Sequence, residues 1–178
     1  RLGMEDASGF PELMKLYNKF PMKELIIHPR VQKDFYKNTP NLEMFAEAFA
    51  MSTNPVCYNG DIFCVEDHQR ICERFPELDA VMSGRGTLTN PALAREIRGG
   101  QALTKAELRK FHDLVYHTYR AEVSGDRNVL FKMKELWFYM GPLFANNKKY
   151  LKKIKKSEKC IVYESAVAEL FSNEELIL

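Results

Sequence analysis

No run of about 18 apolar residues occurs in the sequence, which excludes an ordinary membrane-spanning helix and gives no reason to expect a membrane partner. No C-x-x-C pair occurs either. The four cysteines, Cys57, Cys64, Cys72 and Cys160, stand apart, so no metal site and no disulfide framework is expected. Cys57 falls in an apolar strand and Cys72 on the apolar stripe of a helix. All four read as reduced core thiols, which points to a cytoplasmic protein. Charge of one sign is also scarce, with a net of only +2 over 178 residues. What remains, 46% hydrophobic and 28% charged residues, is the composition of a globular protein.

The informative stretch runs from Asn54 to Pro91. A short apolar strand, Pro55 to Tyr58, stops at Asn59-Gly60-Asp61. A second, Ala80 to Met82, stops at Gly84-Arg85-Gly86. Between them Val65 to Phe75 carries Val65, His68, Ile71, Cys72 and Phe75 at helical spacing. Asn90 followed by Pro91 predicts an N-cap with proline in the first turn, and Gly99-Gly100 ends that helix. Apolar strands alternating with helices belong to a parallel sheet, because a parallel connection needs a crossover. The expected fold class is therefore α/β. A turn lacking Cβ atoms lets backbone N–H groups approach a phosphate, and two such turns after successive strands match the phosphate site of a (β/α)8 barrel. Ordinary tight turns give the same spacing, and that reading stays open.

Upstream, Phe10 to Phe20 predicts a helix with Leu13, Leu16, Tyr17 and Phe20 on its sheet-facing side. Lys23 to His28 predicts a strand, and His28 at its carboxyl end is either a structural hydrogen-bonding residue or a site residue, standing where barrel enzymes build their sites. Arg30 is either a bidentate phosphate partner or a solvated side chain. Residues 31–42 read as a plain polar connecting loop, with substrate contact by Gln32, Lys33 and Tyr36 as the alternative, and Glu43 to Met51 as a helix packing Met44, Phe45, Ala48 and Phe49. From Ala102 the pattern becomes helical. Thr104 with Glu107 forms a capping box ahead of Leu108, Phe111, Leu114, Val115 and Tyr119. Arg127 to Phe144, Asn146 to Lys159 and Ile161 to Phe171 predict further helices, with a weak strand-and-turn signal near Cys160. The segment resembles a helical bundle. Residues 132–159 hold nine lysines and two glutamates, a net of +7 that leaves about −5 for the remainder. With Phe131, Trp137, Phe138, Tyr139 and Tyr150 interleaved, this suits an RNA-phosphate surface or a solvated lysine face with its aromatics turned inward.

Taken in order, Ile26 to Arg30 (IIHPR), Pro55 to Ile62 (PVCYNGDI) with Glu66-Asp67 beyond it, and Asp79 to Pro91 (DAVMSGRGTLTNP) resemble the tRNA-dihydrouridine synthases. The resemblance is strongest over residues 1–100 and weaker beyond. It implies the C-terminal part of an FMN-binding TIM barrel over 1–100 and an all-α, tRNA-binding helical domain over 101–178. It implies reduction of a tRNA uridine to 5,6-dihydrouridine, with NAD(P)H as reductant and hydride delivered to C6 while a cysteine protonates C5. It places FMN against His28, Asn59, Gly60, Asp61, Gly84 and Arg85. Asp61 would act through its backbone or by orienting the turn, since its charge repels phosphate. RNA contacts are expected from Arg30, Lys148, Lys149, Lys152, Lys153, Lys155 and Lys156. Pro29 departs from the glycine common between His28 and Arg30.

Arg1-Leu2-Gly3 matches the tail of the family's K-x-R-x-G motif, whose lysine would lie two residues earlier. None of the four cysteines matches the proton-donor motif, so no catalytic residue is expected in this chain and the isolated chain is expected to be inactive. Three strands cannot close a barrel, which needs about eight. An open strand edge would then favour self-association. The rival readings are a small-molecule FMN oxidoreductase of TIM-barrel fold and a non-catalytic RNA-binding module.

Overall fold

The structure, a computed structural model, describes residues 1–177. Contacts divide the chain into two compact units, Arg1–Gly84 and Arg85 onward. The division precedes the change of sequence character at Ala102, so residues 85–100 belong by contact with the helical part.

The first unit is a three-stranded parallel sheet with helices. Its strands are β1 (Leu25–Ile27), β2 (Val56–Asn59) and β3 (Ala80–Met82), in the order β1-β2-β3. Ile27 lies opposite Tyr58, and Asn59 opposite Met82. The expectation of strands apolar on both faces holds for β2, where Val56, Cys57 and Tyr58 are all buried. It fails at the edges, where Ile26 is 42% and Met82 39% exposed.

Helices α1 (Phe10–Tyr17), α2 (Leu42–Met51) and α3 (Val65–Arg74) follow the predicted order. α2 starts because the Asn41 carboxamide oxygen accepts from the Met44 N–H at 3.0 Å. Phe45 and Ala48 are buried on it, and the Phe45 ring meets Tyr58 and Phe75 edge-on, each with centroids 4.9 Å apart. The Asp67 carboxylate turns back on the N–H groups of Phe63 (2.9 Å) and Cys64 (3.2 Å), which fixes the first turn of α3. The stripe predicted for α1 is displaced. Phe10 and Met14 are its buried residues, while Leu16 and Phe20 are exposed. Cys64 is also exposed, not a core thiol, and Cys72 is half-buried; all four thiols are free.

In the second unit the chain passes from the Ser83-Gly84 turn straight into α4 (Arg85–Thr89), five residues ahead of the predicted N-cap. Asn90 is instead a buried junction before α5 (Leu93–Ile97). Its Oδ1 accepts from the Ala92 N–H at 2.9 Å and its Nδ2 donates to Glu96 at 2.8 Å. Gly99 at φ 78° closes α5 in the left-handed region, as its place in the sequence predicts.

The capping box of Thr104 and Glu107 opens α6 (Lys105–Glu122). Gly125 at φ 83° separates it from α7 (Asp126–Met140). Then follow a 3-10 turn over Gly141–Leu143, α8 (Lys148–Lys156) and α9 (Cys160–Asn173). The weak strand signal near Cys160 is overturned. Ile161 and Val162 are exposed, while Tyr163, Ala166, Val167, Leu170 and Phe171 recur at helical spacing and are buried. On α6, Leu114 is 69% exposed, and His112 and Tyr116 take the interior with Leu108. The core of this unit gathers Leu130, Met133, Trp137, Tyr163, Val167 and Leu170.

Candidate functional site

Parallel pairing brings the carboxyl ends of all three strands of the first unit to one end of the sheet, where β1 leads into His28-Pro29-Arg30, β2 into Asn59-Gly60-Asp61 and β3 into Ser83-Gly84. The two glycine turns are tied together, since the Ser83 hydroxyl donates to the Ile62 carbonyl at 2.9 Å. The glycines themselves differ. A Cβ built on Gly60 would lie 2.0 Å from the Tyr58 hydroxyl, so this glycine makes room for Tyr58. A Cβ on Gly84 would meet nothing within 4 Å, so at this turn there is space beside the α-carbon. Arg85 opens α4 in the second unit.

Arg30 is neither solvated nor turned outward. It is 2% exposed. Its Nη1 and Nη2 donate to the two oxygens of Asp61 at 2.8 and 2.5 Å, and its Nε donates to the Asn38 carbonyl. The same Nη1 lies 3.4 Å from His28 Nε2. The hydrogen bond to Asp61 raises the guanidinium pKa further, so the charge on Arg30 is permanent and compensated. The repulsion anticipated between Asp61 and a phosphate is thereby largely cancelled.

His28 is half-buried at the end of β1. Burial, with the Arg1 and Arg30 guanidinium groups beside it, lowers its pKa to about 4. Its imidazole is therefore neutral at physiological pH. Its ring stacks on Tyr36 at 6.4 Å, and Arg1 covers the other partner in that stack at 5.3 Å from the Tyr36 centroid. Arg1 also donates to the Val31 and Phe35 carbonyls at 2.9 and 3.0 Å, which pins the loop over residues 31–35. Burial, followed by the charge of Asp61, pushes the Tyr58 hydroxyl up to about 12. A cleft lined by Thr39, Pro40, Tyr58, Asp61, Phe63 and Arg70 opens beside this group. The structure brings His28, Asn59, Gly60, Asp61 and Gly84, all singled out in the sequence, to one end of the sheet. Sequence reasoning missed Tyr58, Asn38 and the pairing of Arg30 with Asp61.

In the second unit, α8 presents Lys148, Lys149, Lys152, Lys153, Lys155 and Lys156, all exposed, while Tyr150 and Ile154 are buried beneath. Lys153 pairs with Glu169 at 2.5 Å and Lys149 lies 4.5 Å from the Tyr150 ring centroid. Of the interleaved aromatics, Trp137 and Tyr150 are buried, whereas Phe131 and Phe138 are 68% and 76% exposed. The solvated lysine face and the inward aromatics therefore coexist with two outward phenylalanines.

A family model described as dihydrouridine synthase (Dus) matches residues 1–174. A tRNA-dihydrouridine(16) synthase of Shewanella oneidensis is 36% identical over 100 residues, covering 56% of this chain and 31% of that protein. The enzyme of the same name from Aquipseudomonas alcaligenes is 28% identical over 102 residues, covering 57% and 32%. A probable tRNA-dihydrouridine synthase of Helicobacter pylori is 26% identical over 183 residues, covering 99% of this chain and 53% of its own length. The chain thus spans between about a third and a half of these relatives.

Proposed function

The chain belongs to the dihydrouridine synthase family, and from that premise we propose that it takes part in the flavin-dependent reduction of a tRNA uridine to 5,6-dihydrouridine. In this reading it supplies the C-terminal part of a TIM barrel and the helical domain after it, within a cytoplasmic oxidoreductase that uses NAD(P)H. The observation that carries the reading is the convergence, at one end of the sheet, of a neutral histidine and two glycine turns joined by Ser83.

The residues of the first unit fit an FMN phosphate on two counts. Gly84 has space for a close approach where a Cβ would stand, and Arg30 neutralises the negative charge of Asp61. Asn59, Gly60, Asp61 and Gly84 would hold that phosphate, and His28 would lie nearer the flavin ring. FMN when bound supplies the hydride chemistry that no side chain can. The base must leave its stack to be reached. A neutral His28 can position a hydrogen-bonding group there without adding charge. Arg30 we assign to Asp61 and not to RNA, because a buried guanidinium with its forks engaged has no face left for a phosphate.

None of the four cysteines serves as proton donor in this reading. The isolated chain is expected to show no synthase turnover on unmodified tRNA and to bind FMN weakly. This reading puts the RNA surface on the α8 lysines, and their exposure supports it. Each phosphate neutralised contributes about −0.7 to −0.9 to the slope of log K against log salt. The test is a titration of the chain with unmodified tRNA across salt concentrations, repeated after changing the six α8 lysines to glutamine. The reading expects a salt slope shallower by several units in the variant. Equal slopes would remove α8 from the RNA surface, and turnover by the isolated chain would contradict the assignment of the proton donor.

A further inference from the structure

We propose that Arg30 is a positioning residue that joins the ends of β1 and β2, holding the Asn59-Gly60-Asp61 turn through Asp61 and fixing His28 with its proton on Nδ1. The proposal rests on the flavin reading above only for its ligand; its geometry is independent of it. An arginine fork has donors and no acceptor. Its Nη1, 3.4 Å from His28 Nε2, therefore favours a lone pair on that nitrogen. The proton of the neutral ring then sits on Nδ1, and His28 offers a donor there and an acceptor towards Arg30. The same guanidinium grips both oxygens of Asp61 and the Asn38 carbonyl, so one buried side chain sets the loop after β1, the turn after β2 and the state of the histidine. The Arg1 guanidinium adds positive charge around His28, and Asp61 is the acid among the groups that act on its titration. Tyr36 completes the surroundings by stacking on the ring.

A rival account makes Asp61 only a charge and Arg30 only its counter-ion. The two accounts differ in sign for Asp61→Asn. This change leaves Arg30 unneutralised, so charge alone would tighten FMN phosphate binding. Loss of the fork-to-carboxylate grip would loosen the turn and weaken it.

The experiment is imidazole nitrogen–proton correlation NMR on the intact chain, its Arg30→Lys and Asp61→Asn variants, with FMN titrations alongside. Folding of each variant is checked by its urea midpoint. The wild type should show His28 as a single Nδ1–H tautomer. Both folded variants should show a tautomer mixture, and Asp61→Asn should bind FMN about tenfold more weakly. An Nε2–H tautomer in the wild type would overturn the proposal, as would variants with lowered midpoints and an unchanged tautomer. Tighter or unchanged FMN binding in Asp61→Asn would overturn the hold on the turn. If the wild type takes up no FMN, the flavin reading fails while the tautomer still decides the role of Arg30.

Discussion

His112 shows what a single buried group demands of its neighbours. It lies inside the helical unit, with Nδ1 2.8 Å from Asp113 and Nε2 2.6 Å from the Tyr163 hydroxyl. Trp137 donates its indole N–H to that hydroxyl at 2.7 Å, so the Tyr163 proton is directed to His112 Nε2 and the imidazole proton to Asp113. Burial lowers the His112 pKa against the opposing pull of Asp113. The unfolded chain therefore takes up a proton near pH 6.5 that the folded chain resists. The stability this contributes is fully present above about pH 6.5 and is lost as pH falls towards the folded value. Thermal melts should show a midpoint falling between neutral pH and pH 5, and His112→Gln should flatten that slope. A wild-type midpoint independent of pH in this range would refute the assignment. Tyr163→Phe strands the Trp137 N–H and His112 Nε2, and should cost about 1–3 kcal/mol in urea unfolding. None of this was legible in the sequence, because His112, Trp137 and Tyr163 come from three helices and no local spacing relates them.

At the scale of the elements, the two glycine turns predict opposite outcomes from the same substitution. Gly60→Ala drives a methyl into the Tyr58 hydroxyl and ring, and should destabilise by roughly 1–3 kcal/mol. Gly84→Ala meets open space and should stay within about 0.5 kcal/mol of wild type. If Gly84 is the turn that admits a phosphate, the same variant should weaken FMN binding while the urea midpoint holds. Equal midpoints for both variants would contradict the packing around Tyr58. The sequence marked both glycines as turn residues for a sound local reason, yet could not say which was packed. That difference is made by Tyr58, the last but one residue of β2, whose side chain folds over Gly60. Helix entries were better preserved. The Thr104–Glu107 box acts within four residues, and Thr104→Ala should cost about 1 kcal/mol by the same unfolding measurement.

For the molecule as a whole, charge and edges decide behaviour in solution. A chain of net +2 that concentrates +7 in residues 132–159 carries a local charge that its overall charge does not reveal. The three-stranded sheet of the first unit ends in β1 and β3, with Ile26 and Met82 partly exposed among the described residues. Strand edges and apolar side chains of this kind template association. Light scattering of the isolated chain should show mass rising with concentration, and Ile26→Lys should suppress the rise. A stable monomer at all concentrations would refute this.

By itself the sequence determined the order of strands and helices, the capping box, the lysine cluster of α8 and the family. These depend on periodicity and on motifs read along the chain, where neighbours in sequence are neighbours in space. It did not determine that α4 begins at Arg85, that α1 buries Phe10 and Met14, or that Arg30 serves Asp61. Those outcomes were decided by tertiary structure. Ile27 stands opposite Tyr58, so residues three positions beyond each, Arg30 and Asp61, come together as a consequence of strand register. Register depends on contacts between distant segments, and only once it is set do a guanidinium, a carboxylate and an imidazole share one end of the sheet.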